Sequence, residues 1–188
     1  MEESKSLMLK WLLGTILGVV LGLAGFFFFS LGAYKSVEIQ ETNQPGLHLL
    51  YLDHSGPYHK IVTTIEKVEA FAKAEKLDCH LSFGQYLDNP QEVEEGRLRS
   101  RGGCLTREPS GYNQIAAKLP PDFKILDLPA QKWVQAVFTG SPAIGPLKVY
   151  PKVMDYFNAK GVKMGAFSLE QYEVLSPKEV TTTYLFPF

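Results

Sequence analysis

Hydrophobic and polar positions along the chain divide it into one unbroken apolar run and a longer region of short alternating stretches punctuated by glycine and proline. The run covers residues 11–34, carries no charge and is bracketed by Lys10 and Lys35. It exceeds the roughly 20 apolar residues that a helix needs to cross a bilayer, and Trp11 and Tyr34 sit where interfacial aromatics would. A cleaved signal peptide is the rival reading, with Leu31-Gly32-Ala33 as an acceptable cleavage site. The run is much longer than the ~7–15 residues of a signal core, so a retained transmembrane helix is expected. This makes the chain a single-pass membrane protein, with residues 1–10 as a tail and 35–46 as a polar connector. Lys5 and Lys10 before the run, against Lys35 after it, tilt the balance towards an inside N-terminus without deciding the side of the soluble part. Gly14, Gly18 and Gly22 recur four apart, a spacing that lets two helices approach closely and form a homodimer. Glycine is also common in membrane helices, which accounts for the same spacing without a partner.

Beyond the connector, residues 47–53 alternate as a strand and His54-Ser55-Gly56-Pro57 breaks it. Residues 58–76 have the helical period: Ile61, Ile65, Val68, Phe71 and Ala72 share one face, while Lys60, Lys67, Lys73 and Lys76 stay wet. Residues 77–87 and 98–106 read as two strands joined across Asp88-Asn89-Pro90, a sequence that bonds its own backbone and cannot continue a ladder. The order then repeats: a strand at 132–138, a break at Thr139-Gly140-Ser141-Pro142, a helix at 147–160 closed by Gly161, and strands at 162–174 and 180–186. Phe71 and Tyr156 answer each other at an offset of about 85 residues, the mark of an internal copy. The expected fold is therefore α+β. Two strand-helix-strand-strand units, 47–107 and 132–188, would be related by a pseudo-two-fold axis. Their antiparallel sheets would carry the helices on one face and a groove on the other. In this alignment Glu173 takes the place of Tyr86.

The chain has 188 residues, a formal net charge of −1 and 45% hydrophobic residues. About 150 residues outside the apolar run suffice for one domain with a core, and the balanced charge argues against nucleic acid as a partner. Cys79 and Cys104 are too few for a disulfide scaffold and lack metal-ligand spacing. They could meet across the first hairpin, but disulfide geometry is demanding, and the expectation for Cys104 is a small buried strand residue. His48, His54, His59 and His80 form no metal pattern, and neither a nucleophile elbow nor a phosphate-binding glycine loop appears. No metal, cofactor or catalytic set is expected, and binding is favoured over catalysis.

Gly56-Pro57-Tyr58 after a strand, Tyr86-Leu87-Asp88-Asn89-Pro90 followed by Leu98-Arg99-Ser100, and Tyr172-Glu173-Val174 before a final strand resemble the GyrI-like small-molecule-binding domain over residues 47–188. The resemblance implies a groove glutamate that meets hydrophobic, cationic ligands, matched here by Glu173, with Tyr86 across the axis and Trp133 and Tyr58 as candidate walls. A carboxylate on a partly dry aromatic surface suits a delocalised cation. Each residue has a plainer reading: Trp133 as core, Tyr58 as a pin in the strand-to-helix turn, Glu173 as an exposed edge residue. Some members of the family resemble hydrolases of small electrophiles, a role that Glu173 with Tyr86 and Trp133 would fill. An apolar helix directly before such a domain is also similar to the layout of the testis-expressed ER-phagy receptor, without its acidic tail. That layout implies a membrane-presented protein-interaction module as the alternative.

Overall fold

The structure is a computed structural model that describes residues 2–107, 110–176 and 179–188. It divides into two compact units, Met1–Ser36 and Val37–Phe188. The first unit is helix α1 (Glu2–Ser30), within which Lys10–Ser30 is long and apolar enough to cross a bilayer. Leu13, Leu17 and Phe29 are among its exposed apolar side chains. The helix stops short of the expected residue 34 because Gly32 takes a left-handed conformation with φ 73°. Ala33 N–H then reaches back to Phe28 O at 3.0 Å, a six-to-one bond that closes the last turn.

In the second unit the elements are β1 (Glu38–Gln44), β2 (Leu47–Ser55), α2 (Val62–Ala74), β3 (Leu81–Tyr86), β4 (Arg99–Thr106), α3 (Ser110–Ile115), β5 (Lys124–Leu128), β6 (Gln131–Gly140), α4 (Gly145–Lys160), β7 (Ser168–Ser176) and β8 (Glu179–Pro187). The eight strands form one antiparallel sheet in the order β1-β6-β8-β7-β3-β4-β2-β5. From either edge inward the sequence is an added strand, the strand that precedes a helix, then the two strands of a hairpin. β3 and β7 meet in the middle, with Gly84 opposite Glu170.

Strand β1 occupies part of the stretch read as a connector. Its sequence is polar, so hydrophobic alternation does not reveal it. What holds it is backbone pairing with β6 along its whole length, and Ile39 packing against the apolar cluster around Val134. The folded unit accordingly begins at Val37. Tyr58–Ile61 is a separate 3-10 turn leading into α2 rather than the first turn of a longer α-helix.

Helices α2 and α4 lie on one face of the sheet. Ile61 and Ile65 press on β4 at Gly102, where a Cβ would come within 3.0 Å of both side chains. One residue on, a Cβ at Gly103 would overlap the Leu50 carbonyl at 2.1 Å. The adjacent glycines, which as a sequence look loop-like, thus sit inside a strand where side chains do not fit. Val149, Val153 and Phe157 of α4 pack on Val134, Ala136, Phe138, Tyr184 and Phe186. The other face curls into a half-barrel. Its centre is a single cluster of Leu47, Leu49, Tyr51, Phe83, Leu105, Trp133, Leu169 and Leu185, all buried. The groove expected on the face away from the helices is therefore filled by side chains, with Trp133 among them.

Cys79 and Cys104 form a disulfide with their Cα atoms 5.0 Å apart, against the expectation of a lone buried thiol. The segment after α2 is drawn down onto β4. Tyr112 donates its hydroxyl to Asp78 O at 2.6 Å, and Thr106 Oγ1 donates to Asp78 Oδ2 at 3.1 Å, which sets Cys79 beside Cys104.

Candidate functional site

The middles of the two central strands, residues 83–85 and 168–171, are buried on both faces, and the helix-side positions of these strands are polar except at Gly84. On β7 these are Ser168, Glu170 and Tyr172; on β3 they are Ser82, Gly84 and Tyr86. The register sets Ser82 opposite Tyr172, Gly84 opposite Glu170 and Tyr86 opposite Ser168. Gly84 has no side chain, and the Tyr86 ring folds back over it: a Cβ there would lie 2.9 Å from the Tyr86 hydroxyl. About the Gly84–Glu170 pair, Tyr86 and Tyr172 occupy matching positions two residues on, and their hydroxyls meet at 2.8 Å.

Glu170 is the centre of this cluster and is only 4% exposed. Tyr172 donates to its Oε2 and Tyr150, from the second turn of α4, donates to its Oε1, both at 3.1 Å. The Tyr150 hydroxyl is also 2.7 Å from Ser168 Oγ. Neighbouring strands complete the surround. β8 places Tyr184 opposite Glu170 and Thr182 opposite Tyr172, and β4 places Ser100 opposite Tyr86. Ser100 Oγ is buried with no hydrogen-bond partner among the described residues, and the buried hydroxyls of Thr182 and Tyr184 have each other. A group left like Ser100 Oγ is costly unless something pairs with it.

Among the described residues Glu170 has no cationic partner. Burial pushes its carboxyl up to about 7, and the hydrogen bonds from Tyr172 and Tyr150 hold it back only in part. Burial likewise raises the hydroxyls of Tyr86, Tyr150 and Tyr172, with the charge on Glu170 adding to the effect. All three are neutral donors at physiological pH. The arrangement is a carboxyl group inside an aromatic shell, able to exchange a proton near neutrality and lacking a counter-charge.

Of the four residues that the sequence singled out, the structure brings two together. Tyr58 and Tyr86 stack edge to face with ring centroids 4.7 Å apart. Tyr58 also does what its plainer reading required. Its hydroxyl donates to Asp88 O at 2.7 Å and accepts from Asp88 N–H at 3.0 Å, pinning the turn after β3. The Asp88 carboxylate in turn holds Arg99 at 2.7 Å. The other two lie elsewhere. Trp133 is fully buried in the half-barrel cluster. Glu173 is exposed, opposite Thr181, and its position on β7 is of opposite parity to Glu170 and Tyr172. The glutamate that neighbours Tyr86 through Tyr172 is Glu170. Tyr150, Ser168, Tyr172 and Tyr184 were not singled out. Aligning Tyr86 with Tyr172 instead of Glu173 would have pointed to the cluster.

Several solved structures share this fold at low identity. The C-terminal domain of EcmrR superposes with a TM-score of 0.62 at 16% identity, over 80% of this chain and 96% of that one. A protein from Listeria innocua described as a hydrolase gives 0.55 at 12% identity, over 86% and 97%. SAV2435, solved bound to tetraphenylphosphonium, gives 0.50 at 11% identity, over 79% and 93%. No curated protein is significantly similar to the chain. The model of the GyrI-like small molecule binding domain matches residues 37–188, the whole of the second unit, and the chain belongs to that family.

Proposed function

We propose that the domain binds a small hydrophobic cation at the Glu170–tyrosine cluster, and that Lys10–Ser30 holds it at a membrane. The observation that carries this reading is the buried Glu170 carboxyl with two tyrosine donors and no cation. Ionising it in a dry site is costly, which is why its proton is held so tightly. A cation whose charge is spread over aromatic groups is cheap to strip of water. It would neutralise Glu170 while Tyr86, Tyr150 and Tyr172 offer ring faces. The reading is in keeping with SAV2435, whose bound tetraphenylphosphonium has that chemistry. The matching strand order from each edge also supports the pseudo-two-fold relation between 47–107 and 132–188, which would put Glu170 next to the axis.

The cluster is closed as it stands, so entry requires a rim residue to move, and Tyr58 over Tyr86 is the rim on the α2 side. A second reading rests on the raised carboxyl: a group titrating near 7 is matched to general acid–base work, and one relative is described as a hydrolase.

Titration of tetraphenylphosphonium and of a neutral aryl compound of similar size against wild type and Glu170→Gln tests the proposal. Losing the charge contact costs about 1–3 kcal/mol, so the cation should bind ten- to a hundredfold more weakly while the neutral compound is nearly unaffected. Equal losses for both ligands, or none for either, would remove Glu170 from the site. Consumption of a ligand by wild type but not by the variant would favour hydrolysis. Failure of every ligand to bind would favour a domain that presents a protein surface.

A further inference from the structure

We infer that Val37–Phe188 folds and works in an oxidising compartment, across the membrane from Lys5 and Lys10. The inference rests on the proposal that Lys10–Ser30 spans a membrane and is independent of what the domain binds.

The first observation is the cysteine pair. Both cysteines of the chain are used, 25 residues apart in sequence. The fold itself brings them together. Leu77 N–H closes the end of α2 on Ala72 O at 2.8 Å, and Asp78 is fixed from one side by Tyr112 and from the other by Thr106. None of these bonds involves sulfur. They set Cys79 against Cys104, whose place in β4 is fixed by pairing with Leu50 and Ser82 on either side. The Cα separation of 5.0 Å lies inside the range that a disulfide needs.

The surroundings mark the bond as structural. Cys104 is fully buried in a cluster with Leu50, Val68, Ala72 and Tyr112, and Cys79 is half-buried at its edge. The Cys-x-x-Cys spacing of a catalytic dithiol is absent. Cytosolic thiols are kept reduced, whereas structural disulfides persist on the far side of a membrane. Forming this one removes two electrons and two protons, which pass to a disulfide-bearing thiol oxidoreductase of that compartment; its disulfide becomes a dithiol.

The second observation is independent of the cysteines. Lys5 and Lys10 precede the apolar helix and Lys35 alone follows closely. Lysine and arginine are retained on the cytoplasmic side, so the small excess before the helix tilts the same way as the disulfide, towards an inside tail and a domain carried across.

The test uses the full chain expressed in a bacterium. Cells are acid-quenched, free thiols are blocked with N-ethylmaleimide, and the digest is read without reduction by mass spectrometry. In parallel, spheroplasts are treated with a membrane-impermeant amine reagent and labelling is read at Lys67 and Lys73, exposed on α2. The expected result is a linked Cys79–Cys104 peptide pair in most molecules, with both lysines labelled before lysis. Two maleimide-blocked cysteines would overturn the inference. So would lysines that label only after lysis, whatever the state of the sulfurs.

Discussion

Replacing Glu170 by glutamine probes the buried carboxyl at nearly constant shape. Glutamine can accept one tyrosine hydroxyl on its oxygen and donate its amide to the other, so the contacts of Tyr150 and Tyr172 survive with one hydroxyl turned. What disappears is the titration. The Glu170 carboxyl is raised from its ordinary value of 4.5 to about 7 by burial, so between those values the folded protein holds a proton that the unfolded chain has released. The sign follows from linkage: stability falls with rising pH wherever the native state binds more protons. The contribution is fully present below pH 4.5 and is lost as pH rises through about 7. At about 1.4 kcal/mol per pH unit, the ionised carboxylate costs the unliganded domain roughly 3 kcal/mol by pH 8. For a domain of this size 1 kcal/mol moves Tm by about 2–4 °C, so Glu170→Gln should melt roughly 6–12 °C above wild type at pH 8 and close to it at pH 4. Thermal unfolding of the full chain in detergent, followed by circular dichroism at unit steps between pH 4 and pH 8, measures this difference. Glu41 and Asp88 have their pKa values lowered, chiefly by hydrogen bonds from Tyr156 and Arg99, and add slopes of the opposite sign. Both slopes are common to the two proteins and cancel in the difference. A Tm gap that stays flat across the range would mean that Glu170 ionises like a solvated carboxyl, and the reading of the site as a dry anion without a partner would fail.

Two further substitutions follow from the same geometry. Tyr172→Phe removes the hydroxyl that donates to Glu170 Oε2 and favours its charged form, so the midpoint of the pH-dependent Tm difference should move to higher pH; an unmoved midpoint would mean that this hydrogen bond does not act on the carboxyl. Lys76 closes α2 in a left-handed conformation at φ 55°, so Lys76→Gly should stabilise the domain by about 1 kcal/mol in urea unfolding, and a destabilised variant would mean that the lysine makes a contact outweighing that strain.

The parts of the fold that could be read from the sequence are those where one face is wet. Helix α2 shows its apolar stripe because Lys67 and Lys73 face solvent on the other side, and α4 does so because Lys152 and Asp155 do. Strand β1 escaped notice because an edge strand can be held by backbone pairing alone, and Glu38–Gln44 has little apolar alternation to show. The disulfide could not be read because sequence separation does not fix a Cα distance; the hydrogen bonds to Asp78 do. The half-barrel core behind the sheet was likewise hidden. Trp133 could line a groove or fill a core, and only the curl of the sheet, which brings it into one cluster with Leu47 and Leu49, decides for the core.

The choice between Glu170 and Glu173 turned on strand parity. Shifting a strand by one residue exchanges its two faces, so Glu173, set against Tyr86 in the copy, lies on the opposite face of the sheet from Tyr172 and Glu170. Hydrophobic alternation normally guards against that slip, but here it was silent for a physical reason. Ser168, Leu169, Glu170 and Gln171 are all buried, because the middle of β7 is covered by helices on one face and by the half-barrel core on the other. A strand buried on both faces has no wet side to betray its register. The alternation that remains is chemical: Leu169 joins the apolar cluster while Ser168, Glu170 and Tyr172 point to hydroxyl groups from α4 and β3. Glu173 lies beyond the covered stretch, where a glutamate is solvated and needs no partner. A glutamate inside this doubly covered stretch is tolerated only with donors brought to it. Tyr150 and Tyr172 are those donors, and the charge they leave unmatched is what a cationic ligand would supply.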